Sequence, residues 1–139
     1  MGGYGALKCA LTYPERFSHC AAFSSACDIQ NLLERWKISE HKTLYRELQT
    51  IFGETETIAK EDDLFALAEK TALQPKDKQP KIYMTCGTQD IANGIYESNL
   101  KLKKHLAKLQ YDLCYEEWDA GHTWSFWDQS VRQALRYFA

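Results

Sequence analysis

The sequence predicts an α/β fold, a parallel sheet covered by helices on both faces. Two observations carry that reading. Three apolar runs of strand length, "FSHCAAFSSA", "KIYMTCG" and "YDLCYEEW", are separated or followed by stretches with helical spacing of apolar residues. Strands that alternate with helices need crossover connections, and crossovers give parallel pairing with both sheet faces buried. At 139 residues and 45% hydrophobic, the chain is long enough for one domain with a sizeable core.

The elements follow in order. Residues 3–13 form a helix with Ala6, Leu7, Ala10 and Leu11 on one side, and Pro14 marks where it has stopped. Residues 17–26 make the first strand. Residues 81–87 make the second, introduced by Pro80 and ended by Gly87. From about Asn93 to Gln110 the chain is helical, with Ile95, Leu102, Leu106 and Leu109 on a common face and lysines opposite. "YDLCYEEW" alternates as the third strand, and "TWSFWDQSVRQALRYFA" closes as an amphipathic helix.

Between the first two strands lies a different segment, residues 28–78. It carries "IQNLLERWKISEHKTLYRELQTIFGE" and "DDLFALAEKTAL", both charged and helix-forming. It is too long for a simple crossover loop and is expected to form a small helical cap at the sheet edge, inside a single domain spanning 1–139. No internal repeat, low-complexity tract or Gly/Ser-rich linker interrupts the chain.

Composition narrows the partners. The formal net charge is only −2, and no basic run interleaved with aromatics could track a phosphate backbone, so nucleic acid is not expected. No apolar stretch approaches the roughly 20 residues that span a bilayer, and the basic-then-apolar layout of a signal peptide is missing, so no membrane association is expected and the expected compartment is cytoplasmic. Cys9, Cys20, Cys27, Cys86 and Cys114 are an odd number without a C-x-x-C pair; they read as reduced, most of them small buried apolar residues. Glu61, Asp62 and Asp63 read as the cap of the following helix rather than as a metal site, and neither metal nor cofactor is expected.

Two residues stand out for chemistry. Asp90, in "CGTQD", follows the second strand, and an Asp there ordinarily caps a turn or a helix. His122, in "DAGHTW", occupies the loop after the third strand, where a lone histidine is ordinarily a surface residue. It is the only one of four histidines so placed: His19 falls in a strand, His41 in the charged insert and His105 on a helix. As a pair they say more. In a parallel sheet the loops at the carboxyl ends of the strands gather at one edge, where ligands bind. An acid after one strand and a histidine after the next would meet there, with the acid orienting the imidazole and stabilising its protonated form.

A nucleophile is missing, and the opening "MGGYGALKCAL" accounts for it. In a nucleophile elbow, G-x-S-x-G, the serine sits on a sharp strand-to-helix turn flanked by small residues. Aligned to that pattern, Met1 is the residue after the serine and Gly2 is the closing glycine. The alternatives Ser24, Ser25 and Cys27 read as strand-end packing and helix capping. Ser125 reads as facing away or lining the pocket. Trp118, Trp124, Phe126 and Trp127 read mainly as core, with one of them available to line an acyl site beside His122.

With these motifs in place, the chain resembles the esterase D group of alpha/beta-hydrolases, which includes tributyrin esterases, acetyl esterases and S-formylglutathione hydrolases. The likeness runs through "MGGYGALKCALTYPERF", "IFGE", "DLFALAEK", "PKIYMTCGTQD" and "YEEWDAGHTWSFWDQSV", essentially the whole chain. It implies the carboxyl-terminal part of such a fold. It also implies a serine carboxylesterase for short-chain acyl esters, with Asp90 as triad acid, His122 as general base and the Met1 backbone N–H as half of the oxyanion hole. The segment "DIANGIYESN" after the acid is slightly longer than the group's usual spacing. On this reading the serine directly precedes Met1 in a longer protein, the substrate is a small acyl ester, and the 139 residues alone are inactive. The alternative is an inactive binding or interaction module that retains only the acid and base. Oligomeric state stays open, a homo-oligomer included.

Overall fold

The computed structural model describes residues 1–40 and 42–139; His41 lies outside the described residues. The elements are α1 (Gly2–Thr12), β1 (His19–Phe23), α2 (Ile29–Ile38), α3 (Lys42–Phe52), α4 (Leu64–Ala72), β2 (Lys81–Gly87), α5 (Ile95–Lys108), β3 (Leu113–Trp118) and α6 (Trp124–Phe138), with short 3-10 turns at Lys76–Lys78 and Ala92–Gly94. The sheet has the order β1-β2-β3, and both pairings are parallel. With Phe23 opposite Thr85 and Gly87 opposite Trp118, the carboxyl ends of all three strands reach one edge.

One face of the sheet carries most of the core. Leu7, Ala10 and Leu11 of α1, Leu64, Leu67 and Ala68 of α4, and Leu102 and Leu106 of α5 pack with Cys20, Ala22, Ile82 and Met84 from the strands. All of these are at most 5% exposed, and each fully buried Leu or Ile is worth about 1.5–3 kcal/mol against an exposed one. On the other face α6 covers β1 and β2. There the Thr85 hydroxyl donates to Ser130 Oγ at 2.9 Å, and Ser130 donates to the Phe126 carbonyl at 2.9 Å, so two polar groups under the helix are satisfied.

The segment 28–78 holds three helices with different surroundings. α4 packs against α1 and α5, and the Thr71 hydroxyl donates to the Leu11 carbonyl at 2.6 Å. α2 and α3 pack on each other. Short-range chemistry fixes the helix starts: Asp28 accepts from the Asn31 amide at 3.1 Å, Asp63 from the Phe65 amide at 3.0 Å.

Two of the boundaries that differ from the periodic reading share one physical reason. β1 ends at Phe23 rather than at Ala26 because Ser24 turns to φ 47°, in the left-handed region. α5 starts at Ile95 rather than Asn93 because Asn93 and Gly94, at φ 56° and 70°, are both left-handed. A chain in that region cannot continue a strand or an α-helix.

Candidate active site

The loops after β2 and β3 are stitched together by their backbones. Thr88 N–H donates to the Trp118 carbonyl and Gln89 N–H to the Ala120 carbonyl, both at 3.0 Å. The approach is so close that a Cβ on Gly87 would fall 2.1 Å from the Ala120 oxygen, so only glycine fits there. The next turn is also fixed: Asp90 N–H donates to the Gly87 carbonyl at 3.1 Å, and Tyr96 N–H to the Asp90 carbonyl at 2.8 Å.

That stitching brings Asp90 and His122 together. Asp90 Oδ2 lies 2.8 Å from His122 Nδ1; the Asp90 side chain is 1% exposed and the imidazole 52%. A carboxylate accepts only, so Nδ1 carries the proton, and Nε2 is left to accept one from elsewhere. Trp127 holds the ring from the side, with centroids 4.8 Å apart and planes at 86°. The second Asp90 oxygen, Oδ1, is buried without a hydrogen-bond partner.

Met1 reaches the same place by a different route. It caps the start of α1, its carbonyl accepting from Gly5 N–H at 2.9 Å, and the partial positive charge of the helix gathers at this end. The first turn rests on the loop after β1, where a Cβ on Gly3 would fall 2.0 Å from Ser25 Oγ, so this glycine is sterically required. Asn99, fully buried on α5, donates to the Ser25 carbonyl at 2.8 Å and holds that loop from the far side.

Two cavities open from this junction, and both are lined by Met1, Ser24 and His122. One, of about 390 Å³, continues past Gly3, Phe23, Trp124 and Trp127. The other, of about 250 Å³, continues past Leu32, Trp36 and Ile95 on the Asp90 side. Another hollow, of about 380 Å³, lies between the end of α1 and α4 around Leu11, Leu67 and Thr71; Glu15, Lys70 and Lys78 also line it, and among the described residues no histidine does. Trp36 and Asn93, which flank the smaller cavity, are additions to the residues the sequence singles out, whereas Ser24, weighed there only as an alternative nucleophile, occupies the left-handed turn at the junction. The Asn93-Gly94 dipeptide is a turn signal, but nothing in it says what the turn faces.

The other candidates sort by environment. Ser24 and Ser25 are buried at the strand end, but the cap of α2 is Asp28 rather than any of Ser24, Ser25 or Cys27. Burial, reinforced by the charges of Cys86 and Asp28, pushes the Cys27 thiol far above its ordinary range. Burial and then the Asp90 charge push the Cys86 thiol up to about 12. Both stay neutral thiols at neutral pH and make poor nucleophiles. Cys9 is exposed rather than buried, because its position on α1 falls outside the stripe formed by Leu7, Ala10 and Leu11. Trp124 corrects the expected core role: it is 83% exposed and held edge-on by Trp127 at 5.0 Å, because the first turn of α6 turns Phe126, 2% exposed, toward Trp118 and the sheet instead. Ser125 is exposed, with its hydroxyl 3.0 Å from that of Thr123. His105 rests against the Phe65 carbonyl and Glu69. Asp62 pairs with Lys8 and Asp63 caps α4. Among the described residues no group of three His, Cys, Asp or Glu side chains is arranged to hold a metal ion, and no helix is long and apolar enough to cross a membrane.

Comparison with known proteins agrees with this architecture. The Esterase family model matches residues 1–138. The chain is 33% identical over 141 residues to an acetyl esterase from Caldicellulosiruptor saccharolyticus, covering 100% of this chain and 52% of the relative. It is similar in structure to an S-formylglutathione hydrolase from Staphylococcus aureus (TM-score 0.75, 27% identity, 99% of this chain and 50% of the other). It is similar also to a fluorophosphonate-binding serine hydrolase from the same organism (TM-score 0.79, 28% identity, 98% and 50%). The chain thus spans about half the length of the relatives it matches.

Proposed function

Because the chain belongs to the Esterase family, we propose that the protein is a serine carboxylesterase acting on short-chain acyl esters, and that these residues form the carboxyl-terminal part of its alpha/beta-hydrolase domain. In this reading a serine directly before Met1 is the nucleophile, His122 the general base and Asp90 the acid that orients it.

The supporting observation is the bond between His122 Nδ1 and Asp90 Oδ2 at 2.8 Å, beside the helix start at Met1. With Nδ1 committed to the acid, Nε2 is the nitrogen that takes the serine proton as the hydroxyl attacks the ester carbonyl. The imidazolium so formed sits beside a nearly buried carboxylate, which stabilises it. Nε2 then returns the proton to the leaving alcohol, and the same nitrogen activates the water that releases the acid. The Met1 backbone N–H, at the positive end of α1, donates to the oxyanion; one such donor contributes on the order of 10²–10³ in rate. Fixed dipoles and one imidazole carry the charge, so the mechanism uses no cofactor.

The test uses the full-length protein. It should hydrolyse p-nitrophenyl acetate and take up a fluorophosphonate on the residue immediately before Met1, located by peptide mass spectrometry. Labelling at Ser24 or Ser25 instead, or no labelling with no turnover, would overturn the assignment.

A further inference from the structure

The smaller cavity has a construction of its own. One wall is the loop that carries the acid, Ile91–Gly94; the other is α2, from the 28–78 segment. Leu32 and Trp36 stand four residues apart, one above the other on the same helix face, so Trp36 lies about 6 Å further along α2 than Leu32. The Trp36 indole N–H donates to Asn93 Oδ1 at 3.0 Å, which joins the two walls. A second tie lies behind the first: Gly94, left-handed at φ 70°, passes so close to Arg35 that a Cβ there would fall 3.1 Å from the guanidinium carbon, and Arg35 donates to Asn31 at 2.8 Å and to Glu97 at 3.0 Å. Asn93 is therefore held in an unusual backbone conformation at the position that receives the indole.

Charge and size restrict what this cavity can take. Among the described residues, the only titratable side chains on its lining are Asp90 and His122, which are already bonded to each other. Ala26, Leu32, Ile95 and the Trp36 ring offer apolar surface, and among the described residues no Lys or Arg lines it to receive an anionic group. At about 250 Å³ the space falls below the ~300–1,000 Å³ of pockets for drug-sized ligands.

We propose, building on the esterase reading above, that this cavity is the acyl subsite, and that the Trp36–Asn93 bridge is its end wall and sets the longest acyl chain the enzyme accepts. The substrate class is then esters of short, uncharged, saturated acids. Chain-length selectivity belongs to the inserted helix, whereas the sheet-edge loops carry the chemistry.

The experiment measures kcat/KM of the full-length enzyme on p-nitrophenyl esters from acetate to decanoate, and separately on acetates of different alcohols. Each methylene that gains an apolar wall is worth about fourfold. Trp36→Ala should therefore raise the octanoate-to-acetate ratio at least about tenfold and leave the ranking of alcohols as in the wild type. Asn93→Ala, which frees the indole without removing it, should shift the ratio in the same direction by less. Ala92→Leu, on an exposed turn, should shift it the opposite way, and this arm keeps the question open to test if Trp36→Ala fails to fold. Altered alcohol ranking with an unchanged chain-length profile, or no change in either, would overturn the assignment. A wild-type enzyme that turns over no ester would instead remove the esterase reading on which it rests, an outcome distinct from an active enzyme whose profile does not move.

Discussion

The sheet-edge loops and the α2–α3 part of the inserted segment are built by different physics. Around Asp90 and His122, position is set by backbone: ladder register, two amide bonds between loops and a glycine with no room for a Cβ. In the segment 28–78 much of the surface of α2 and α3 is fixed by side chains, through exposed pairs such as Lys37 with Glu56 and Arg35 with Glu97. Backbone restraint tolerates little displacement and suits reacting groups, where an error of about 1 Å can cost on the order of 10² in rate. Side-chain restraint is individually weak and replaceable, which fits the substrate-selecting role proposed for α2.

The largest expected effect separates the two regions directly. On the proposed triad reading, His122→Ala in the full-length protein should lower kcat by on the order of 10⁶ and Asp90→Asn by on the order of 10⁴, whereas no single substitution in α3 should approach either; steady-state kinetics on p-nitrophenyl acetate decides. A smaller loss tests whether the backbone stitching matters. Gly87→Ala should push the Ala120 carbonyl aside, destabilise by roughly 1–3 kcal/mol in urea unfolding and lower kcat more than it raises KM. A variant that folds and keeps full turnover would show that the two loops are not positioned through this contact.

The segment 28–78 should answer more mildly. Asp28→Ala removes the cap of α2 and an ion pair with Lys101, and should cost about 1 kcal/mol by thermal or urea unfolding with little change in kcat. The smallest effect is expected from Glu56→Gln. The Lys37 ammonium, by hydrogen bond and then by charge, holds the Glu56 carboxyl below its ordinary value. A lowered folded-state value means that the contribution is present above the ordinary carboxylate range and is lost as pH falls through it. Melting temperatures of wild type and variant should therefore differ slightly at pH 7 and converge at low pH. A difference that grows on acidification would contradict the pairing.

What the sequence discloses follows the same division. Asp90 and His122 are legible because parallel topology obliges the loops after successive strands to meet, and strand-length apolar runs reveal that topology. Met1 is legible only through the glycines around it and a resemblance. The early end of β1 at Ser24 and the late start of α5 are not legible, since nothing in the side chain of Ser24 announces a left-handed turn and hydrophobic periodicity runs straight through Asn93. Trp124 misleads for a related reason: helical spacing places it with Trp127, but periodicity does not tell that Phe126 is the ring turned toward the sheet. The Trp36–Asn93 contact joins residues 57 apart through two side chains, and no local pattern carries that information.

The unpartnered Oδ1 of Asp90 has a practical corollary. Because His122 supplies, among the described residues, the one side-chain hydrogen bond to a carboxylate that is 1% exposed, the dependence between the two residues is mutual. An inactive His122→Ala variant is therefore not a silent control: it leaves a buried acid with neither oxygen bonded, a change of the kind that costs about 1–3 kcal/mol. Binding experiments that need a folded, non-hydrolysing enzyme are better served by His122→Asn, whose amide nitrogen takes the place of Nδ1 and can still donate to Asp90.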